Sequence, residues 1–305
     1  MAHEEQQHLD IIEEIIKYGA ESHGRNGLTK SLFVRTMRFG LSRDINGSYH
    51  RSRTLQSCDP NHDGSVIPGS LVSFNLPIST VAGTMTTGII EEFKSFVLRG
   101  QSSSRFLEEA GVNIWKANTV GTDGIIGPAY GHNYRNYSGT YDPSGQTHDG
   151  IDQVADVIKL LRDDPGSRRM IVLNYDPREN DKCVLFPCQM MFQFYVDDNG
   201  VSVHAYNRSS DICCAGMWNT AFAALLCGYV SMMSGNIPHE VVVTFGNVHV
   251  YENQLELAAE HVKRVPTAAF PVVTMSMGDD STVDIKVDHI DKANYGQRIK
   301  YPMTA

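Results

Sequence analysis

Between His8 and Tyr18 the apolar residues Leu9, Ile11, Ile12, Ile15 and Ile16 recur at helical spacing, which predicts an amphipathic helix broken by Gly19 and Gly24. A second helix is predicted over Ile89 to Val97, with Glu91 and Glu92 near its start, where the helix dipole favours negative charge. Ile151, Val154, Val157, Ile158 and Leu161 share one side of a third, from Asp149 to Asp163, which ends at Asp164-Pro165-Gly166. Asn219 to Ser234 is apolar on nearly all sides and reads as a buried central helix. A further helix is expected over 252–264.

Strands are read at Met170 to Leu173, around Cys188, and at Val201 to Tyr206. The last two are joined at Asp197-Asp198-Asn199-Gly200, a hairpin signal. Others are expected at 239–250, 271–276 and 283–288. Periodicity disappears over 42–75, where Ser, Gly, Asp, Asn and Pro dominate, and this stretch reads as an insertion. Within it Asp59-Pro60-Asn61-His62-Asp63-Gly64 matches the opening of a calcium loop, but its twelfth position is Ser70 rather than Glu, so a plain turn is the reading. With no repeat and no linker in sight, the expectation is one α+β domain over 1–305.

At 305 residues, with 41% apolar and 20% charged positions, the chain is long enough to bury a core without staples. No apolar run is read as approaching the roughly 18 residues of a membrane span, and Met1-Ala2-His3-Glu4-Glu5 is no signal peptide, so a cytoplasmic protein is expected. The six cysteines form no C-x-x-C pair and no zinc spacing, which favours reduced thiols and no metal site. A net charge of −9 argues against direct nucleic-acid binding, so any phosphate must meet a local cluster of arginines.

The chemistry concentrates in Phe186 to Val196. Cys188 follows Pro187, whose φ is locked, and precedes an apolar run that reads as a buried strand, a geometry that would hold a thiol rigidly at the mouth of a sheet. Downstream, Asn207-Arg208-Ser209-Ser210-Asp211 offers a cation and hydroxyls in a short span. Arg168 and Arg169 precede another strand and suit bidentate phosphate binding. From residue types alone, Cys188 with His249 would also permit a cysteine hydrolase, which would show a burst with ester or amide substrates.

Taken together, Pro187-Cys188, Phe192-Gln193-Phe194, Arg208-Ser209, Asp211, Asn219 and His249-Val250-Tyr251 resemble, in order and spacing, the motif set of the thymidylate synthase superfamily, whose members attach a one-carbon unit to C5 of a pyrimidine nucleotide. The resemblance runs from about residue 8 to the end. It implies a large, mostly antiparallel sheet with flanking helices, a homodimer formed by sheet packing, and methylenetetrahydrofolate as co-substrate. C5 of the ring is a poor nucleophile, and a thiolate adding at C6 activates it, so Cys188 is the implied nucleophile. Glu92 falls on the family's general acid/base, a role suited to a carboxyl whose pKa is raised by burial.

The remaining roles follow from the same resemblance. Arg208 would lower the thiol's pKa and contact phosphate together with Ser209. Arg25 would reach the phosphate too, while Arg168 and Arg169 cross the dimer interface into the neighbour's site. Asn219 would face the base, His249 and Tyr251 the sugar, and Gln189 would stand near position 4 of the ring. Tyr130 is placed among the catalytic groups. Trp115, Asn118 and Asp211 would border the folate.

Three positions and one run depart from what thymidylate synthases usually carry: Gln189 replaces a His, Thr80-Val81-Ala82-Gly83 a basic run, Asn118 a second tryptophan, and Asn247 an Asp. A thinner aromatic wall would admit water to the exocyclic methylene intermediate. The nucleotide hydroxymethylase branch of the superfamily also lacks several of these synthase features, so the resemblance leans to that branch, with 5-hydroxymethylation of dUMP expected, and thymidylate synthesis or hydroxymethylation of dCMP or CMP as alternatives.

Overall fold

A computed structural model describes residues 3–24, 26–42, 70–288 and 295–303. Among them nine strands form two sheets: β1 (Ala20–Gly24), β2 (Gly27–Gly40), β3 (Leu71–Asn75), β4 (Ile171–Leu173), β5 (Gln189–Asp197), β6 (Gly200–Asp211), β7 (Pro238–Tyr251), β8 (Val272–Met277) and β9 (Val283–Asp288). The large sheet runs in the order β1-β2-β7-β6-β5-β4, antiparallel except where β6 and β7 lie parallel, and the small one runs β3-β8-β9. The expected α+β architecture with a large, mostly antiparallel sheet is present.

Seven α-helices accompany these strands: α1 (Gln6–Tyr18), α2 (Thr86–Phe93), α3 (Ser104–Glu109), α4 (Gly131–Arg135), α5 (Gln153–Asp163), α6 (Met217–Ser234) and α7 (Leu255–His261). Parallel neighbours need a crossover, and α6 supplies it between β6 and β7. Its polar positions are few, so it lies in the core, packed against both strands. The sequence expectation of no span-like run is corrected here. The helical stretch Ile212–Ser234 is long and apolar enough to cross a membrane, with mean hydropathy 1.4, but 72% of its apolar 18-residue window is buried within the fold, as a core helix would be.

Helix α1 turns Leu9, Ile12 and Ile15 inward. Just before it the buried Glu5 accepts hydrogen bonds from the Ser79 hydroxyl at 2.8 Å and from the backbone N–H groups of Thr80 (3.0 Å) and Val81 (3.3 Å). A buried carboxylate requires such donors, so residues 79–81 are fastened to the start of α1.

Pairing is disturbed along a line that crosses the large sheet. Met190 is an extra residue in β5, and the regular ladder lapses at Arg208 in β6, Gly246 in β7 and Val34 in β2. Val34, though β-branched, sits at φ 55°, a strained conformation. A Cβ at Gly246 would fall 2.8 Å from both the Arg208 carbonyl oxygen and the Tyr206 hydroxyl. Irregularities of this kind re-aim side chains beside functional sites. Here Arg208 turns toward the start of β5, where Cys188 stands.

Several sequence-based boundaries shift. The third helix begins at Gln153, because the Asp152 carboxylate accepts from the N–H of Ala155 at 2.9 Å and caps it; Ile151 lies outside and is exposed. The second starts at Thr86 and continues as a wider turn over Lys94–Leu98. The expected helix over 252–264 is a tight turn, Glu252–Gln254, followed by α7. The supposed insertion loses its end, since Leu71–Asn75 pairs with β8; residues 43–69, with the calcium-like opening, lie outside the described residues.

Candidate active site

One cleft of about 1010 Å³ opens at the end of the large sheet where that line of irregular pairing runs. It gathers Cys188, Gln189, Arg208, Ser209, Asp211, Asn219, His249, Tyr251, Glu92, Trp115, Asn118 and Tyr130. Twelve of the fifteen site residues picked from sequence therefore share one cavity. Arg168 and Arg169 do not; both are exposed and stand away from it. Arg25 lies outside the described residues, although Gly24 and Asn26 line the cleft.

Cys188 is held from three directions. Arg208 donates to the carbonyl oxygens of Phe186 (2.7 Å) and Pro187 (3.0 Å). The Tyr130 hydroxyl hydrogen-bonds the backbone of Cys188, and Tyr130 itself takes the unusual φ of 51° at the start of α4. The buried Asn174 accepts from the Tyr130 N–H at 2.6 Å and donates to the Gln189 carbonyl at 3.0 Å, tying both loops together. Arg208 lowers the thiol's pKa, as expected, but by less than burial raises it. Burial pushes the Cys188 thiol up, and the Arg208 charge opposes this without reversing it.

Glu92 is buried, and burial raises its pKa against two hydrogen bonds that lower it. Those come from Trp218 Nε1 to one carboxylate oxygen and Trp115 Nε1 to the other, each at 2.7 Å. Trp115 is thus mostly interior, edge-on to Tyr130 at 4.8 Å and to Phe96 at 6.0 Å, and shows the cleft only a small part of its ring. Asn118 is half-buried at the cleft edge.

On the opposite side, the Asp211 carboxylate accepts from the N–H groups of Cys213 and Cys214 at 3.1 Å and from Gln254 Nε2 at 2.7 Å. It caps the turn that leads into α6. Asn247 Oδ1 lies 3.0 Å from His249 Nδ1. An amide oxygen only accepts, so His249 carries its proton on Nδ1 and leaves Nε2 as an acceptor. Burial lowers the His249 pKa, which favours that neutral form. Gln189 donates through Nε2 to the Asn219 carbonyl at 2.9 Å, and its side chain is committed to bracing α6. The Asn219 side-chain amide makes no hydrogen bond among the described residues.

Sequence reasoning missed four contributors. Trp218 lies inside the Asp211–Asn219 motif, yet nothing local signals that its N–H reaches a carboxylate 126 positions away. Asn174 sits in a bland turn after β4. Arg298 and Lys300 enter the cleft wall from the C-terminal segment, which pairs through Gly296 and Ile299 with Thr80 and Ala82.

The sequence profile described as "Thymidylate synthase" matches residues 6–305. The chain is 31% identical to thymidylate synthase 1/2 of Encephalitozoon cuniculi (strain GB-M1) over 287 residues, covering 90% of this chain and 87% of that protein. It is 29% identical to the bifunctional dihydrofolate reductase-thymidylate synthases of Zea mays and of Paramecium tetraurelia, covering 90% and 99% of this chain but 49% and 61% of those longer proteins. The chain belongs to the thymidylate synthase family of one-carbon transferases, whose co-substrate is methylenetetrahydrofolate.

Proposed function

We propose that the protein converts dUMP to dTMP by reductive methylation. The observation that carries this reading is the pairing, in one cleft, of the Cys188 thiol with a buried carboxyl, Glu92, enclosed by two indoles. The sequence lean toward hydroxymethylation rested in part on a wall thinned at Asn118. Trp218 supplies a second indole to the same cleft, so the argument for water entry loses its footing, and the named relatives are thymidylate synthases.

In this reading the thiolate of Cys188 adds to C6 of the uracil ring, and C5 becomes nucleophilic. C5 takes the methylene carbon from the folate, which afterwards supplies the hydride that makes it methyl and leaves as dihydrofolate. Cys188 is released when the C6–S bond breaks. Glu92 carries protons to and from the ring. Asn219 presents both a donor and an acceptor, matching O4 and N3–H of uracil. Arg208 and Ser209 hold phosphate, with Arg25, and with Arg168 and Arg169 delivered by a second copy; His249 and Tyr251 hold the sugar. Trp115, Asn118 and Asp211 border the folate.

Dimer formation is supported by the bare face of the large sheet, where Ile171, Leu173 and Tyr195 are 37%, 38% and 61% exposed. Hydroxymethylation stays as the second reading because Gln189 and Asn247 replace the residues usual in thymidylate synthases. Incubation with dUMP and methylenetetrahydrofolate separates the two. Equal amounts of dTMP and dihydrofolate support the proposal. 5-Hydroxymethyl-dUMP with tetrahydrofolate left unoxidised refutes it.

A further inference from the structure

The two indole N–H groups on Glu92 have a consequence for how that residue handles a proton. An indole donates and never accepts. With Trp115 on one oxygen and Trp218 on the other, a proton bound to Glu92 cannot be turned toward either ring. Among the described residues no other side chain hydrogen-bonds this carboxyl, so the remaining direction for the acidic hydrogen is the cleft that Glu92 lines.

Trp218 is fixed in this pose from both ends. Its backbone is the second residue of the buried α6. Its ring edge crosses α2 at Gly88, one helical turn before Glu92, and a Cβ there would meet Cη2 at 2.6 Å. Gly88 therefore leaves the gap through which the indole reaches the carboxylate.

We propose that Trp218 is a positioning residue for proton transfer, one that stabilises ionised Glu92 and, with Trp115, directs the acid's proton into the cleft. This rests on Glu92 being the proton carrier of the reaction proposed above. When Glu92 gives its proton to the ring or to a water beside it, the charge left behind is met by two preformed donors. When the proton returns, it comes back from the same side.

The chain holds two tryptophans, Trp115 and Trp218, so both of its indoles report on one carboxyl. The test is a pH titration of the protein without nucleotide or folate, following the two ¹⁵N-indole resonances. Both should move with a single shared midpoint above 4.5, the ordinary glutamate value, and both should stay flat in Glu92→Gln. In Trp218→Phe the Trp115 signal should titrate about one pH unit higher, because one donor to the carboxylate is gone. In Gly88→Ala the Trp218 signal should lose its titration while Trp115 keeps its own. A Trp218 resonance that does not titrate in the unaltered protein overturns the proposal, as does an unchanged Trp115 midpoint in Trp218→Phe. If the Phe variant fails to fold, the unaltered protein and Glu92→Gln decide. No turnover is measured, so a failure to make dTMP leaves this result standing on its own.

Discussion

Arg208 donates through Nε to the carbonyl oxygen of Pro187 at 3.0 Å, which places its positive charge one residue from the Cys188 thiol. The charge works against burial, and burial wins, so the free protein holds a protonated thiol at neutral pH. Alkylation of Cys188 by iodoacetamide should therefore accelerate continuously from pH 7 to pH 9 without a plateau. Arg208→Ala should slow it by about threefold to tenfold at a given pH, because the opposing charge is removed. A plateau below pH 8 would contradict this.

Asn174 is fully buried and links Tyr130 to the strand that follows the cysteine. Asn174→Ala leaves a buried N–H and a buried carbonyl without partners. Denaturant unfolding should show a loss of about 2–4 kcal/mol, and turnover should fall as well, since Cys188 loses its brace. A loss under about 0.5 kcal/mol would show that the linkage is incidental.

His8 and His261 meet edge-on, 5.6 Å between ring centroids, where α1 packs on α7. Burial lowers both pKa values from 6.5, His261 to about 3, with Glu5 favouring charge on His8 and Arg264 opposing it on His261. Unfolded histidines take up protons below about pH 6.5 while the folded ones refuse them, so stability is full above that pH and falls as pH drops. His261 contributes about 2 kcal/mol of this loss by pH 5, and His8 adds to it in the same direction. His8→Gln, which keeps a donor for the Ile212 carbonyl that His8 now meets at 2.9 Å, should lose less stability between pH 7 and pH 5 than the unaltered protein. Parallel curves would rule the histidine out as a cause.

Arg168 and Arg169 stand outside their own chain's cleft, so the proposed dimer should complement. Cys188→Ala and Arg169→Ala would each be inactive or nearly so. Mixed in equal amounts and allowed to exchange subunits, they should recover about a quarter of native activity, since half of the dimers then carry one intact site. No recovery despite demonstrated exchange would place Arg169 in its own site or in none.

Much of the fold was legible because helical periodicity is strong in α1 and α5, because α6 is apolar on nearly all sides, and because Asp197-Asp198-Asn199-Gly200 marks its hairpin. β2 was not read as a strand. Its alternation fails at Phe33-Val34, where the ladder lapses and Val34 adopts a positive φ. At the site, residues carried by contiguous motifs could be picked out, and twelve of them line one cleft. The clamp on Glu92 could not, because it joins α2 to α6 through space. Trp218 was missed for the same reason, since it reaches the cleft beside Trp115 from a distant element.

The central claim, that Cys188 becomes bonded to the pyrimidine while a folate-borne carbon joins C5, is tested most directly by trapping. With 5-fluoro-dUMP the C5 substituent cannot leave as a proton does, so the reaction should halt with nucleotide and folate both attached. Peptide mass spectrometry should find both on the peptide containing Cys188, and neither in Cys188→Ala. Absence of an adduct, or one carried by Cys183, Cys213 or Cys214 instead, would contradict the account.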